Sequence, residues 1–409
     1  MPRSNILKSE ETPLEYTTRF QIIVPAFNEE ESIEHVLRHA MNRGYLQHML
    51  IVDDASTDST PQIIERWAKD FGLRAVRLHH NCKKEGAIRA GMEALLQTGA
   101  LKPYTVLLDS DSMLIGDLSG SSIISQIEQC IDQMDLAGHK ALALRIDAAL
   151  SIRPTIFEAC ALADYTAMQV DQWLVGLQGK LWVINGPGGI FETRCLLPIL
   201  QDMEPDFETG DLLITVKLMM QGHPIGFCSR FCVETFVPSN LRSYFKQRRR
   251  WERGTTKVLW NEMIFYLGLF PRLQILALAT VVHLLIYLGM IAALGLMILG
   301  RIHWTNFFSI LMISAALWFV LSVVKGAVIK LNRPSFKFLR YCGCAVMNSA
   351  LWVLVTTPAR LAGFADGVRQ ILSGESLPFR RNHELLQPVW LDTTSNSVKP
   401  PFAVEERES

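Results

Sequence analysis

The sequence predicts an α/β domain with a largely parallel sheet, followed by membrane-spanning and interfacial helices. Three observations carry that expectation. Between Phe20 and about Val237 short β-rich runs alternate with helical patterns, the order that lays parallel strands together with helices on their faces. Carboxylates end two of those runs, in Val52-Asp53-Asp54 and Leu108-Asp109-Ser110-Asp111, so they emerge at the carboxyl edge of the sheet, where open α/β sheets bind ligands. Charged sequence gives way to strongly apolar sequence after about residue 262.

Strands are expected at Phe20–Pro25, Met49–Asp53, Arg74–His79, Tyr104–Leu108, Ala141–Ile146, Leu181–Ile184 and Phe231–Phe236. Helices are expected near Glu29–Met41, Pro61–Lys69, Glu85–Gln97 and Ser119–Met134. The first opens with three glutamates, as the helix dipole favours, and Asp58 and Ser59 stand before Pro61 as cap residues.

The 409 residues are ample for a buried core. Lys+Arg and Asp+Glu balance at 40 each, and no basic stripe is interleaved with stacking aromatics, which argues against nucleic-acid binding. Eight scattered cysteines lack zinc spacing and read as reduced thiols. The segment 1–19 reads as a charged extension without an apolar signal core.

Leu273–Leu299 is nearly all apolar between Arg272 and Arg301, long enough to span a bilayer. Residues 307–329 form a second expected span, with Lys325 near its end able to snorkel. Residues 341–357 form a third, either crossing or re-entrant, since the basic tail residues Arg360, Arg369, Arg380 and Arg381 sit poorly outside. The basic link around Lys330, Arg333, Lys337 and Arg340 places itself and the α/β domain on the cytoplasmic side. Segments 241–260 and 359–372 mix apolar and basic residues at near-helical spacing and read as interfacial helices, or as ordinary solvent-facing amphipathic ones.

Asp53-Asp54, Asp109-Ser-Asp111 and Glu208-Thr-Gly-Asp211 follow one another along the soluble half. An Asp-x-Asp at a strand end suits one hard divalent cation bridging a diphosphate. Asp211 opens a helical pattern to Met220 and fits either a helix cap or a catalyst. Gln247-Arg-Arg-Arg250-Trp251 joins guanidinium forks to an indole face, which suits anion binding and ring stacking, although a positive-inside flank has the same composition.

Taken in order, Pro25-Ala-Phe-Asn28-Glu29, Val52-Asp53-Asp54-Ala-Ser56, Asn81-Cys-Lys-Lys84-Glu-Gly86-Ala-Ile-Arg-Ala-Gly91, Asp109-Ser-Asp111, Thr209-Gly-Asp211 and Gln247-Arg-Arg-Arg250-Trp251 resemble the family 2 glycosyltransferases. The likeness is strongest to membrane-embedded processive synthases of the cellulose, chitin and hyaluronan type, and it runs from Phe20 to the end of the chain. It implies a Rossmann-like GT-A nucleotide-sugar-binding domain over 20–240, an interfacial segment 241–272, a transmembrane region 273–357 and a tail 358–409. By the same resemblance Glu29, Asp53, Lys84, Asp109, Gln247 and Arg250 hold the nucleotide sugar, and Asp109 and Asp111 take Mg²⁺ or Mn²⁺. Asp211 is the expected general base and Trp251 the acceptor platform. Gly188 and Gly189 fall in the segment that cradles the acceptor terminus, or in a structural turn.

The chemistry is coherent in itself. A sugar leaving a diphosphate builds negative charge on the departing oxygen, which a cation and guanidinium groups stabilise, while a carboxylate base activates the acceptor hydroxyl for in-line, inverting attack. Two departures stand out: the acceptor segment lacks the cysteine motif of cellulose synthases, and Gly210 replaces the acidic residue that usually precedes the base. Both argue against a cellulose product. No apolar segment precedes the domain, and three spans leave an export channel dependent on oligomerisation or a partner.

The expected function is therefore metal-dependent, inverting transfer from a nucleotide sugar, foremost a UDP-sugar, to a growing β-linked glycan. It would occur at the cytoplasmic face of the plasma or inner membrane, in a multi-pass protein. The alternative is a single addition to a membrane lipid. A catalytically dead, membrane-anchored binding protein is disfavoured, because every other acidic position of the pattern is filled.

Overall fold

Strand β1 (Phe20–Ala26) is buried at every position, as expected of a strand covered on both faces. It pairs in parallel with β2 (Met49–Asp53) and β4 (Tyr104–Leu108), and β2 pairs in parallel with β3 (Arg74–Arg77). The computed structural model describes residues 18–117, 120–176, 181, 183–203, 209–262, 289, 292–293, 295–301, 303–332, 336–373 and 389–390.

Five further strands, β5 (Ser112–Leu114), β6 (Ala141–Ala149), β7 (Gly188–Glu192), β8 (Ile225–Phe236) and β9 (Val389–Trp390), complete one sheet in the order β5-β8-β6-β7-β4-β1-β2-β3-β9. The sheet is mixed rather than largely parallel. β6 and β8 run parallel, but β7 is antiparallel to both its neighbours, β5 is antiparallel to β8, and β9 to β3.

The strand expected at Leu181–Ile184 is absent at the described positions 181, 183 and 184. The Ile184 amide instead donates to the Thr215 hydroxyl at 2.9 Å, and the sheet resumes at Gly188, whose glycine-rich start masked its strand character.

Helices α1 (Ile33–Asn42), α2 (Thr60–Phe71) and α4 (Ile123–Ala137) lie toward one face of the sheet, where Ile33, Leu37, Ile64, Trp67 and Ile127 join Ile22 and Val24 in one buried core. Helices α3 (Lys83–Gln97), α6 (Thr193–Asp202) and α7 (Gly210–Met220) bury Ile88, Leu196 and Leu213 with Ile23 and Leu50 in another. The expected first helix begins four residues late: the glutamates occupy a turn, and α1 starts at Ile33. α5 (Ile156–Gly176), not anticipated from the sequence, leaves the sheet to meet the C-terminal helices.

Helix α8 (Leu241–Asn261) is started by Asn240, whose Oδ1 accepts from the Ser243 amide at 2.9 Å. α9 (Trp304–Asn332) leaves Phe308, Met312, Ile313 and Val324 exposed. α10 (Phe338–Leu351), a π turn (Trp352–Thr356) and α11 (Thr357–Leu372) form one helical run, so the expected boundary at 357/358 falls inside a helix. Trp304–Leu331 and Phe338–Leu372 are long and apolar enough to cross a membrane. Most of the expected first span, 273–299, lies outside the described residues. Lys325 pairs with Asp171 of α5 at 2.6 Å.

α11 lies along α8. A side chain at Gly363 would meet the Arg249 carbonyl, and one at Gly367 would stand 2.9 Å from Thr256 Cβ. Arg249 Nε reaches Asp366 Oδ2 across the same seam at 2.6 Å.

Candidate active site

The carboxyl ends of β1 and β2 and the start of α3 each carry one non-glycine residue with left-handed backbone: Asn28 (φ 55), Ala55 (φ 59) and Lys83 (φ 61). Such backbone is unfavourable for an L-residue and gathers where the surrounding structure fixes it. Here the loops fasten one another. Asn28 N donates to Ser56 Oγ at 3.0 Å, Thr57 N to Asn28 Oδ1 at 2.8 Å and Glu29 N to Thr60 Oγ1 at 2.8 Å.

Lys84, in the first turn of α3, reaches Asp109 Oδ1 at the end of β4 and donates to the Gly186 carbonyl at 3.2 Å. The Gly186 amide in turn donates to Asp211 Oδ2 at 3.0 Å. One peptide segment thus stands between the lysine–aspartate pair and the second carboxylate. A Cβ at Gly186 would lie 2.9 Å from Lys84 Nζ, 3.3 Å from Asp211 Oδ2 and 3.6 Å from Asp109 Oδ2, so a side chain there would push against the Lys84 ammonium and crowd the carboxylates.

Asp211 sits at the start of α7, with Oδ1 on its own Leu212 amide at 2.8 Å. Burial raises its proton affinity, against the pull of Lys84. Burial lowers that of Lys84, but Asp109 and Asp211 outweigh it, so Lys84 stays a cation.

Asp111 occupies the turn into β5, and its Oδ1 accepts from Ser112 Oγ at 3.0 Å and Thr235 Oγ1 at 3.2 Å. Burial, then the charges of Asp109 and Glu29, push it up to about 7. Glu29 is raised too, first by burial and further by Asp109 and Asp58, while Ser32 and Ser110 hold it down. Glu29, Lys84, Asp109, Asp111 and Asp211 therefore form one electrostatic cluster. Among the described residues no group of three or more acidic, histidine or cysteine side chains forms a ready metal cage.

Other expected site residues lie apart. Asp53 is wholly buried and turned inward, accepting from Ser56 N at 3.0 Å and facing Arg77 Nε at 3.1 Å. Gly188 and Gly189 begin β7 rather than line a loop, packed against Val233 and Ile184 side chains. Of that segment, Gly186 is the residue that faces the cluster.

On α8 the stripe Gln247, Trp251, Gly254 and Val258 turns toward the α/β domain. A Cβ at Gly254 would lie 2.5 Å from Thr209 Cγ2, two residues before Asp211, so α8 approaches closely there, and Trp251 joins a small cluster with Ile146, Ala148 and Tyr165. Gln247 Oε1 is buried without a partner among the described residues. Arg250 is exposed, whereas its neighbour Arg248 is 2% exposed, bonded to Asp164 and stacked 4.4 Å from the Trp251 ring centroid. Sequence reasoning left Arg248 undecided. It also passed over Glu85, which only the tertiary fold brings beside Asp211.

Residues 21–119 match the family model described as Glycosyl transferase family 2. The chain carries a glycosyl transferase family 2 domain. The chain is 24% identical over 261 residues to a poly-β-1,6-N-acetyl-D-glucosamine synthase of Staphylococcus epidermidis, a match covering 64% of this chain and 59% of that protein's length. It is 24% identical over 370 residues to an N-acetylglucosaminyltransferase of Azorhizobium caulinodans, covering 87% and 86% of the two chains. In fold it is similar to a mannosyltransferase from Pyrobaculum calidifontis in complex with GDP-Man and Mn²⁺, with a TM-score of 0.52, 17% identity and coverage of 87% of this chain and 88% of that one. The glycosyltransferase domain is thus a mixed α/β domain of the GT-A kind.

Proposed function

We propose that this glycosyltransferase moves a sugar, foremost N-acetylglucosamine, from a nucleotide diphosphate donor to a growing β-linked glycan, with inversion and with a divalent cation. The observation that carries this reading is the Gly186 segment, which holds Asp211 by its amide and Lys84 by its carbonyl. A base and a diphosphate-binding cation stand on two sides of one peptide, as attack and departure on two faces of a sugar require.

Asp109 and Asp111 fit a divalent cation in the two-carboxylate mode completed by diphosphate oxygens. Asp111 is held at a raised proton affinity by burial and by neighbouring carboxylates, a repulsion that a dication relieves. Bound there, Mg²⁺ or Mn²⁺ supplies charge stabilisation to the leaving diphosphate. Lys84 neutralises the same diphosphate from α3. Asp211 takes the proton of the acceptor hydroxyl, and its raised proton affinity makes it the stronger base once ionised. Asp53, turned into the loop between Ser56 and Arg77, shapes the nucleotide end.

Gln247, Arg250 and Trp251 line the donor and acceptor from α8. The acceptor is a glycan chain handed toward the bilayer by the apolar C-terminal helices, with the catalytic domain on the cytoplasmic face of a multi-pass protein. A second copy or an export partner would complete the channel.

Donor-dependent nucleotide release across UDP- and GDP-sugars, with Mg²⁺, Mn²⁺ or a chelator, followed by product sizing, tests the proposal. Turnover with UDP-N-acetylglucosamine, metal dependence and a ladder of products are expected. One sugar per lipid acceptor would replace the polymer by single addition, and absence of turnover with every donor would sink the reading.

A further inference from the structure

Glu85 is 4% exposed, and its Oε2 has no hydrogen-bond partner among the described residues. Its carboxylate lies directly over Gly210: a Cβ at position 210 would coincide with Glu85 Oε1, Cδ and Cγ, far inside van der Waals contact. A side chain at 210 would therefore force the Glu85 carboxylate out of this place. The carboxylate is bracketed by Lys84 on its own helix and Asp211 next to Gly210, the two groups that the Gly186 peptide joins.

Nothing in packing explains this choice. An apolar residue at 85 would fill the junction of α3 and α7 without a buried, unpaired oxygen, and a place in the first turn of α3 returns less than such an oxygen costs.

We propose that Glu85 is a positioning residue for glycosyl transfer, delivering across Gly210 a carboxylate that keeps Asp211 strongly basic and fixes it opposite Lys84. The proposal rests on the transfer reading given above. It also accounts for Gly210 itself: the acidic group expected at 210 arrives from α3, and the glycine makes room for it. Burial pushes Glu85 up to about 7, with Asp211 and Asp109 adding to the rise and Lys84 opposing it, so its carboxyl is electrostatically engaged with the same three groups.

The test uses full-length protein in nanodiscs, with donor turnover and thermal unfolding measured together. Glu85→Gln keeps the shape and removes the charge. It is expected to fold as the wild type, to shift the donor KM less than about threefold, and to lose at least about tenfold in kcat, a split that a packing role alone would not produce. Glu85→Ala is expected to lose as much. The exchange Glu85→Ala with Gly210→Glu restores a carboxylate to the same space from the other helix, and should regain kcat to within about threefold of wild type.

A folded Glu85→Gln enzyme with wild-type kcat overturns the proposal. So does a folded exchange variant no faster than Glu85→Ala, and this second comparison decides the matter if Glu85→Gln fails to fold. A wild-type protein inert toward every nucleotide sugar would overturn the transfer reading itself, whereas an active wild type with an indifferent Glu85→Gln overturns only the role of Glu85.

Discussion

Arg248 and Asp164 form a buried ion pair, Nη2 to Oδ2 at 2.7 Å, and Asn348 of α10 donates to the other oxygen of Asp164 at 2.7 Å. Three helices meet on that one carboxylate: α5 through Asp164, α8 through Arg248 and α10 through Asn348. Arg248→Ala leaves Asp164 partly exposed with Asn348 as its remaining partner, so it should destabilise the protein by about 1–3 kcal/mol. The double change Arg248→Ala with Asp164→Ala should cost less than the sum of the single ones. Chemical unfolding in detergent measures both, and additivity would remove the pair from the account.

Lys84 is expected to act on the donor side. Lys84→Ala should lower kcat/KM by about 10²–10³-fold, as loss of one electrostatic stabiliser does. Asp211→Asn should cost about 10²–10⁴-fold in kcat, the usual share of a general base, with nucleotide binding retained. Steady-state kinetics beside nucleotide titration separates the two, and equal loss of nucleotide binding in both variants would contradict the division of labour.

Asp54 accepts from the Cys82 amide at 2.6 Å and is raised by burial from an ordinary 3.8 to about 6. It holds a proton more tightly folded than unfolded, so its contribution to stability is complete below 3.8 and is lost as pH rises through about 6. Asp54→Asn keeps the acceptor oxygen and should flatten stability against pH in that window. Unfolding midpoints at half-unit steps check it, and an unchanged slope would assign the pH dependence elsewhere.

Gly363→Leu should part α11 from α8, because its side chain meets the Arg249 carbonyl, and cost about 1–3 kcal/mol. Gly343→Ala, exposed within α10 and with nothing within 4 Å of its Cβ, should instead stabilise by up to about 1 kcal/mol in the same unfolding assay. Equal behaviour of the two would show that the seam is loose.

The site was legible where chemistry follows local order. Asp109 and Asp111 could be placed because leucine-rich β4 ends there, and Asp211 because a helical pattern starts there. Glu85 could not, since its meaning depends on α3 crossing the start of α7. β7 was hidden by its own glycines. α5 was missed for a different reason: it touches β6 and β8 as well as α9 and α10, so its apolar residues ring the helix and leave no amphipathic stripe to read. Arg248 and Arg250 look alike in sequence, and only the position of α5 makes one a buried tie and leaves the other exposed.

β9, the pair Val389–Trp390, joins the edge of the catalytic sheet through β3. A strand cannot add to a sheet across a bilayer, so Asn261 and Val389 lie on one side of any membrane that the apolar helices between them enter. The number of full crossings in that interval is therefore even. Three apolar segments cannot all be complete passages, and a reporter fused after Trp390 should share the aqueous phase of Asp211.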